Sequence, residues 1–160
     1  MEGKEFLQVP EIINKTGGEF VRRLKGLSEK KPQPFLRTSI SRSYYAAYLH
    51  IRDKLIDHCV PDYVKSHERL IRLLESSKFQ NCSSDIGGPL KSLRDKRHDA
   101  DYVLNRSVTE RESSSSYKLA KTLIEYFDKI NVRKLLLAVK QEAYGIYNEA
   151  VRWDFREKWK

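Results

Sequence analysis

Between Phe35 and Cys59 the apolar residues Leu36, Ile40, Tyr44, Ala47, Ile51 and Leu55 recur at spacings of three and four. That period predicts a helix. Tyr45, Leu49 and Ile56 add a second apolar edge, and so wide an arc predicts a central helix touched on two sides. A shorter helix is predicted over Ser66 to Ser77, with Leu70, Ile71, Leu73 and Leu74 inside. Another opens near Pro89, with the stripe Leu90, Leu93, Arg97, Ala100 and Leu104. Thr109 followed by Glu112 fits a capping box, so a helix starts there. Its stripe is Tyr117, Ala120, Leu123, Ile124 and Phe127. Ser113 and Ser116 fall on the same face, where small side chains permit close helix approach. From about Asn131, Leu135, Val139, Ala143, Ile146, Ala150 and Trp153 mark a last helix. If it runs to about Arg156 it is roughly 40 Å long.

Breaks separate these pieces. Gly17-Gly18 interrupts the N-terminal segment, and Lys31-Pro32-Gln33-Pro34 reads as a loop, because proline disfavours helix in the residue before it. Pro61 closes the central segment, and Gly87-Gly88-Pro89 puts proline at a first helical position. No run of alternating Val, Ile or Thr is long enough for a sheet. The fold class is therefore all-α, and the 160 residues suit one domain.

Composition narrows the function classes. Apolar residues make up 39% and charged residues 33%, too apolar for a disordered chain and too polar for a membrane protein. The longest apolar run, Leu135 to Val139, is far short of a bilayer span, and Met1 to Pro10 holds Glu2 and Glu5 with no apolar block, so no secretory signal is read there. Cys59 and Cys82 form neither a disulfide framework nor a metal-ligand pattern, and the four histidines give no zinc signature. A reduced, cytoplasmic protein without a metal or cofactor is expected. The 31 Lys and Arg against 22 Asp and Glu give a net charge of +9. From Val21 to Arg42 the basic residues Arg22, Arg23, Lys25, Lys30, Lys31, Arg37 and Arg42 face one acid, Glu29. Such an excess points either to a polyanionic partner such as RNA or to a solvated surface.

Two blocks carry a resemblance: Arg37-Thr38-Ser39-Ile40-Ser41-Arg42-Ser43-Tyr44-Tyr45-Ala46-Ala47-Tyr48, and Leu93-Arg94-Asp95-Lys96-Arg97-His98-Asp99-Ala100-Asp101-Tyr102, with Lys65-Ser66-His67-Glu68-Arg69-Leu70-Ile71 between them. In this order they resemble the HEPN family, small all-helical domains, over roughly residues 35–130. The resemblance implies an up-and-down four- to five-helix bundle, here with a basic N-terminal segment (1–31) and an extra long C-terminal helix (131–160). It implies a homodimer built around the motif helix. For many members it also implies metal-independent RNA cleavage in a toxin or defence setting, with a nucleotidyltransferase-like antitoxin as partner. The family motif is an arginine, four to six residues, then a histidine. Here Arg97 matches the arginine, and Tyr102 stands where the histidine would be.

Metal-free cleavage of RNA needs a group to deprotonate the 2′-hydroxyl and one to protonate the leaving oxygen. Histidine titrates near ~6.5 and suits both roles, whereas tyrosine near ~10 is a poor base at neutral pH. Arginine holds phosphate through paired donors. Arg97, His98 and Tyr102 are therefore the catalytic candidates, and Arg94, Arg97, Arg42 and Arg37 the phosphate-binding ones. Arg94, His98 and Tyr102 lie at i, i+4 and i+8 on one side of an ideal helix, so His98 could replace the missing base. The structural readings stand beside these: Arg97 paired with Asp101, Tyr102 an interfacial aromatic, His98 a surface residue, His50 satisfied at the core edge. A non-catalytic HEPN module that binds nucleotide, nucleic acid or a protein partner is the rival function. In the C-terminal helix Tyr147, Phe155 and Trp159 miss the apolar face and sit among Arg152, Arg156, Lys158 and Lys160. That mixture suits an interface or base stacking.

Overall fold

A computed structural model describes residues 3–15, 33–56, 65–76 and 85–130. Among them are a 3-10 turn (Gly3–Leu7) and five α-helices: α1 (Gln8–Lys15), α2 (Gln33–Ile56), α3 (His67–Glu75), α4 (Gly87–Tyr102) and α5 (Glu110–Lys129). No strand occurs among the described residues. The protein is an all-α helical bundle. The last predicted helix, with its aromatic residues, and the basic residues 21–31 lie outside the described residues.

α2 is the axis of the bundle. It packs along α4 and α5 and receives the 3-10 turn and α1 as well. All six residues of its predicted stripe are buried, and Tyr45, Leu49 and Ile56 pack against the core as the second edge. The sequence reading placed Gln33 and Pro34 in a loop, but α2 already begins at Gln33. Proline is tolerated there because a first-turn N–H has no intrahelical acceptor in any case. Gln33 also has a reason to be ordered. Its Nε2 donates to the Val108 carbonyl at 2.8 Å, and its Oε1 accepts from the Val108 N–H at 2.7 Å. This two-way clamp ties the start of α2 to the loop before α5. Leu36, Ile40, Ala100 and Val108 form a small apolar cluster at that end.

The serines of α5 do what their spacing predicts. Ser113 and Ser116 are buried, and Ser113 Oγ donates to Ser39 Oγ at 2.8 Å across the α2–α5 contact. The capping box is present: Glu112 N–H donates to Thr109 Oγ1 at 3.1 Å and Thr109 N–H to Glu112 Oε2 at 2.8 Å. A cap of this kind contributes about 1 kcal/mol. The predicted α4 stripe needs correction at its C-terminal end, while its first members, Leu90 and Leu93, are buried. The helix opens two residues before Pro89, where Asp85 Oδ1 accepts the Gly88 N–H at 3.0 Å. It closes at Tyr102, so Leu104 leaves the stripe and is 79% exposed.

His50 sits at the core edge, buried, with Nε2 2.8 Å from Asp128 Oδ1. Asp128 also pairs with Lys54 and, at 2.9 Å, with Lys4, which anchors the N-terminal turn. Partial burial works against the Asp128 carboxylate, but hydrogen bonds from Lys54, Lys4 and His50 outweigh it and hold its pKa well below the usual range.

Candidate functional site

The residues singled out in the sequence divide into those that converge and those that do not. Arg97 converges. Its side chain is 22% exposed, neither sealed nor fully solvated. Its guanidinium lies over the Tyr45 ring, 5.3 Å from the centroid, and over the Tyr102 ring at 5.2 Å. A cation flanked by two phenol rings is favoured by both ring quadrupoles. Nε is 2.6 Å from Asp101 Oδ2, as the i, i+4 spacing predicts, although its N–H does not aim at that oxygen. The contact is therefore an ion pair rather than a directed hydrogen bond. Asp101 Oδ2 also accepts from Ser41 Oγ of α2 at 3.3 Å, and one Arg97 Nη donates to the Tyr102 hydroxyl at 3.3 Å. Partial burial opposes the charge on Arg97, but Tyr45, Asp101 and Tyr102 outweigh it, so the arginine stays charged.

Tyr102 and His98 lie on the outer side of α4. Tyr102 is 61% exposed, His98 is exposed, and their rings are 5.1 Å apart and tilted by 45°. Arg94 is half-buried and pairs with its neighbour Asp95, its Nη2 3.2 Å from Oδ1. Arg94, Arg97, His98 and Tyr102 thus lie between the middle of α4 and its C-terminal end.

Arg37 and Arg42, the other two phosphate-binding candidates, are engaged in other contacts. Arg37 reaches across from α2 to the end of α4. Its Nη1 donates to the carbonyls of Ala100 (2.6 Å) and Asp99 (3.5 Å). Its Nη2 donates to those of Val103 (3.2 Å), Leu104 (3.3 Å) and Arg106. Helix-end carbonyls lack intrahelical partners and carry the negative end of the dipole, so a guanidinium fits there. Arg42 lies over the Phe6 ring at 5.3 Å, beside the N-terminal turn.

The sequence reading also missed one site residue, His67. It opens α3 behind the N-cap Ser66, and its imidazole faces three α2 tyrosines. The Tyr48 ring stacks on it at 3.9 Å with a 17° tilt, the Tyr44 ring lies at 5.6 Å, and the Tyr45 ring meets it edge-on at 6.1 Å. The Tyr44 hydroxyl is hydrogen-bonded to Nδ1, and the Tyr48 hydroxyl donates to the Lys65 carbonyl at 2.7 Å. Burial lowers the His67 pKa, and the charges of Arg97, Arg94 and Arg52 lower it further. Burial raises the pKa of both Tyr44 and Tyr48, which keeps these phenols protonated. One side of the junction of α2, α3 and α4 therefore holds a neutral imidazole and two arginines, with Tyr45 between Arg97 and His67.

Comparisons with protein-family models, with curated proteins and with solved structures found no match. Among the described residues no cluster of three or more His, Cys, Asp or Glu side chains could hold a metal ion. Nor is any described helix long and apolar enough to cross a membrane.

Proposed function

We propose that the chain is an HEPN-type protein that acts on RNA, a metal-independent endoribonuclease of the toxin or defence kind, working in the cytoplasm as a homodimer with a nucleotidyltransferase-like antitoxin as partner. The observation that carries this reading is the setting of Arg97. It is a partly open, permanently charged guanidinium held between Tyr45 and Tyr102, with Arg94 one helical turn away. Two arginines on one helix suit a phosphodiester, and the exposed Tyr102 ring offers a surface for an unpaired base. The net charge of +9 favours the encounter with a polyanion.

The test is incubation of the pure protein with total RNA and tRNA in EDTA. Cleavage that is lost in Arg97→Ala, with the fold intact by circular dichroism, supports the reading. Cleavage that survives this substitution, or that needs a divalent metal, rejects it. The non-catalytic reading draws on the Arg97–Asp101 pair, because a guanidinium already neutralised suits holding better than transition-state stabilisation. Under that reading RNA binds, through Arg97, and is not cut.

A further inference from the structure

We propose that His67, fixed by Tyr44 and stacked on Tyr48 where α2, α3 and α4 meet, is the proton-transfer residue of the phosphate site at Arg94 and Arg97, and accepts the 2′-hydroxyl proton of a bound RNA. The inference rests on the RNA-cleavage reading above and deepens it.

The geometry selects His67 over His98. A general base needs a fixed orientation and a neutral ring at working pH. His98 is exposed on the outer side of α4 with a tilted contact to Tyr102. His67 is half-buried, its ring plane set by the Tyr48 stack and its rotation about that plane set by the bond between Nδ1 and the Tyr44 hydroxyl. With Nδ1 so engaged, Nε2 is the nitrogen that exchanges a proton. Nε2 carries the lone pair only in the tautomer whose Nδ1–H donates to the Tyr44 oxygen, with the phenol hydrogen turned away from the ring, and that is the tautomer the step uses. The groups that act on the ring are Tyr44, Tyr45, Tyr48 and Arg52 from α2, and Arg94 and Arg97 from α4. Burial, reinforced by the arginines, keeps the imidazole neutral. A bound phosphodiester offsets Arg94 and Arg97, so the ring can accept charge when substrate is present and not before.

The step balances. The 2′-oxygen attacks phosphorus as its O–H bond breaks and the proton passes to His67 Nε2. The bond from phosphorus to the 5′-oxygen breaks, and that oxygen leaves with the electron pair and takes a proton from water. The products are a 2′,3′-cyclic phosphate and a 5′-hydroxyl, and the imidazolium returns its proton to solvent.

The experiment measures two quantities in EDTA: cleavage of total RNA and tRNA across pH 5 to 8, and binding of a fluorescein-labelled, mixed-sequence 2′-O-methyl RNA that cannot be cut. For His67→Gln we expect a loss of cleavage on the order of 100-fold or more, loss of the rising acid limb of the pH profile, and unchanged binding. Tyr44→Phe keeps the ring stack and the core volume while releasing Nδ1. It is expected to slow cleavage and move that limb without weakening binding, and it serves as the second arm if His67→Gln does not fold. His98→Ala is expected to cost cleavage less than His67→Gln does and to keep the acid limb of the pH profile. The proposal is overturned if both His67→Gln and Tyr44→Phe cleave like the wild type, or if His98→Ala produces the larger loss and removes the acid limb. Wild-type protein that binds the probe through Arg97 but cuts nothing overturns the role of His67 and leaves RNA binding standing. Absence of both binding and cleavage overturns both readings.

Discussion

Replacing Arg37 by methionine separates a structural arginine from a phosphate-binding one. The substitution keeps an unbranched apolar stem and removes the guanidinium, so Nη1 and Nη2 no longer meet the carbonyls of Asp99, Ala100, Val103, Leu104 and Arg106. A hydrogen bond from a charged donor is worth about 1.5–3 kcal/mol, but five on one group do not add. The contacts to Leu104 and Arg106 are exposed, and water can replace them. Those to Asp99, Ala100 and Val103 are partly buried, so the net loss should be close to that of one or two strong bonds, about 2–4 kcal/mol. For a domain of this length that corresponds to a fall in Tm of roughly 5–15 °C, read by circular dichroism.

Arg94→Ala is the matching control, because its pair with Asp95 is a neighbouring surface contact worth about 0–1 kcal/mol. It should leave Tm almost unchanged and weaken binding of the 2′-O-methyl RNA. The reverse pattern, a Tm within about 1 °C of wild type for Arg37→Met together with lost RNA binding, would refute the helix-end account and restore Arg37 as a phosphate ligand.

Arg37 also illustrates what the sequence could and could not tell. Helical period, caps and small-residue faces are local signals, so the central helix, the Thr109 capping box and the buried Ser113 and Ser116 were legible. The Arg97–Asp101 pair was legible for the same reason, being an i, i+4 contact on one helix. A guanidinium that reaches carbonyls more than sixty positions away has no local signature, and in a basic stretch it reads as one more phosphate ligand. His67 was missed on similar grounds. Its partner Tyr44 is 23 residues away, and no spacing rule links an imidazole at the start of one helix to phenols on another. The one available hint was the neighbouring Ser66, which marks a helix start and so fixes where the next side chain begins. The start of α2 at Gln33 was lost because its proline was read as a loop residue. The Gln33–Val108 clamp that holds it there is tertiary.

Gly87 lets α4 begin against the end of α3. A β-carbon there would lie 2.5 Å from Glu75 Cγ, 2.8 Å from Glu75 N and 2.9 Å from the Leu74 carbonyl carbon. Because two of these atoms are backbone, Gly87→Ala should cost about 1–3 kcal/mol in urea unfolding, and an unchanged midpoint would mean that α3 and α4 do not meet this way. Ser113→Val, which removes the bond to Ser39 and widens the α2–α5 contact, should cost a similar amount. Ser113→Ala should cost less, and equal costs would show that spacing is not what the serine provides. The last prediction concerns acid. His67 has a folded pKa below its unfolded value near ~6.5, so the unfolded chain binds its proton first as pH falls. The stability His67 contributes is present above about pH 6.5 and is lost as pH drops below that toward its folded value, by at most about 1.4 kcal/mol per pH unit for one proton. Asp128 is also depressed on folding, so its contribution is present above about pH 4 and is lost below that. Urea titrations of wild type, His67→Gln and Asp128→Asn at closely spaced pH values should therefore separate two acid limbs. His67→Gln should flatten the one beginning near pH 6.5 and leave the lower one, while Asp128→Asn should make the lower limb shallower, with Glu112, also depressed by its Thr109 hydrogen bonds, supplying the rest, and leave the upper. If His67→Gln keeps the wild-type slope through that upper window, the imidazole is not held neutral by its burial and the arginines around it, and the basis for treating it as a poised base falls with it.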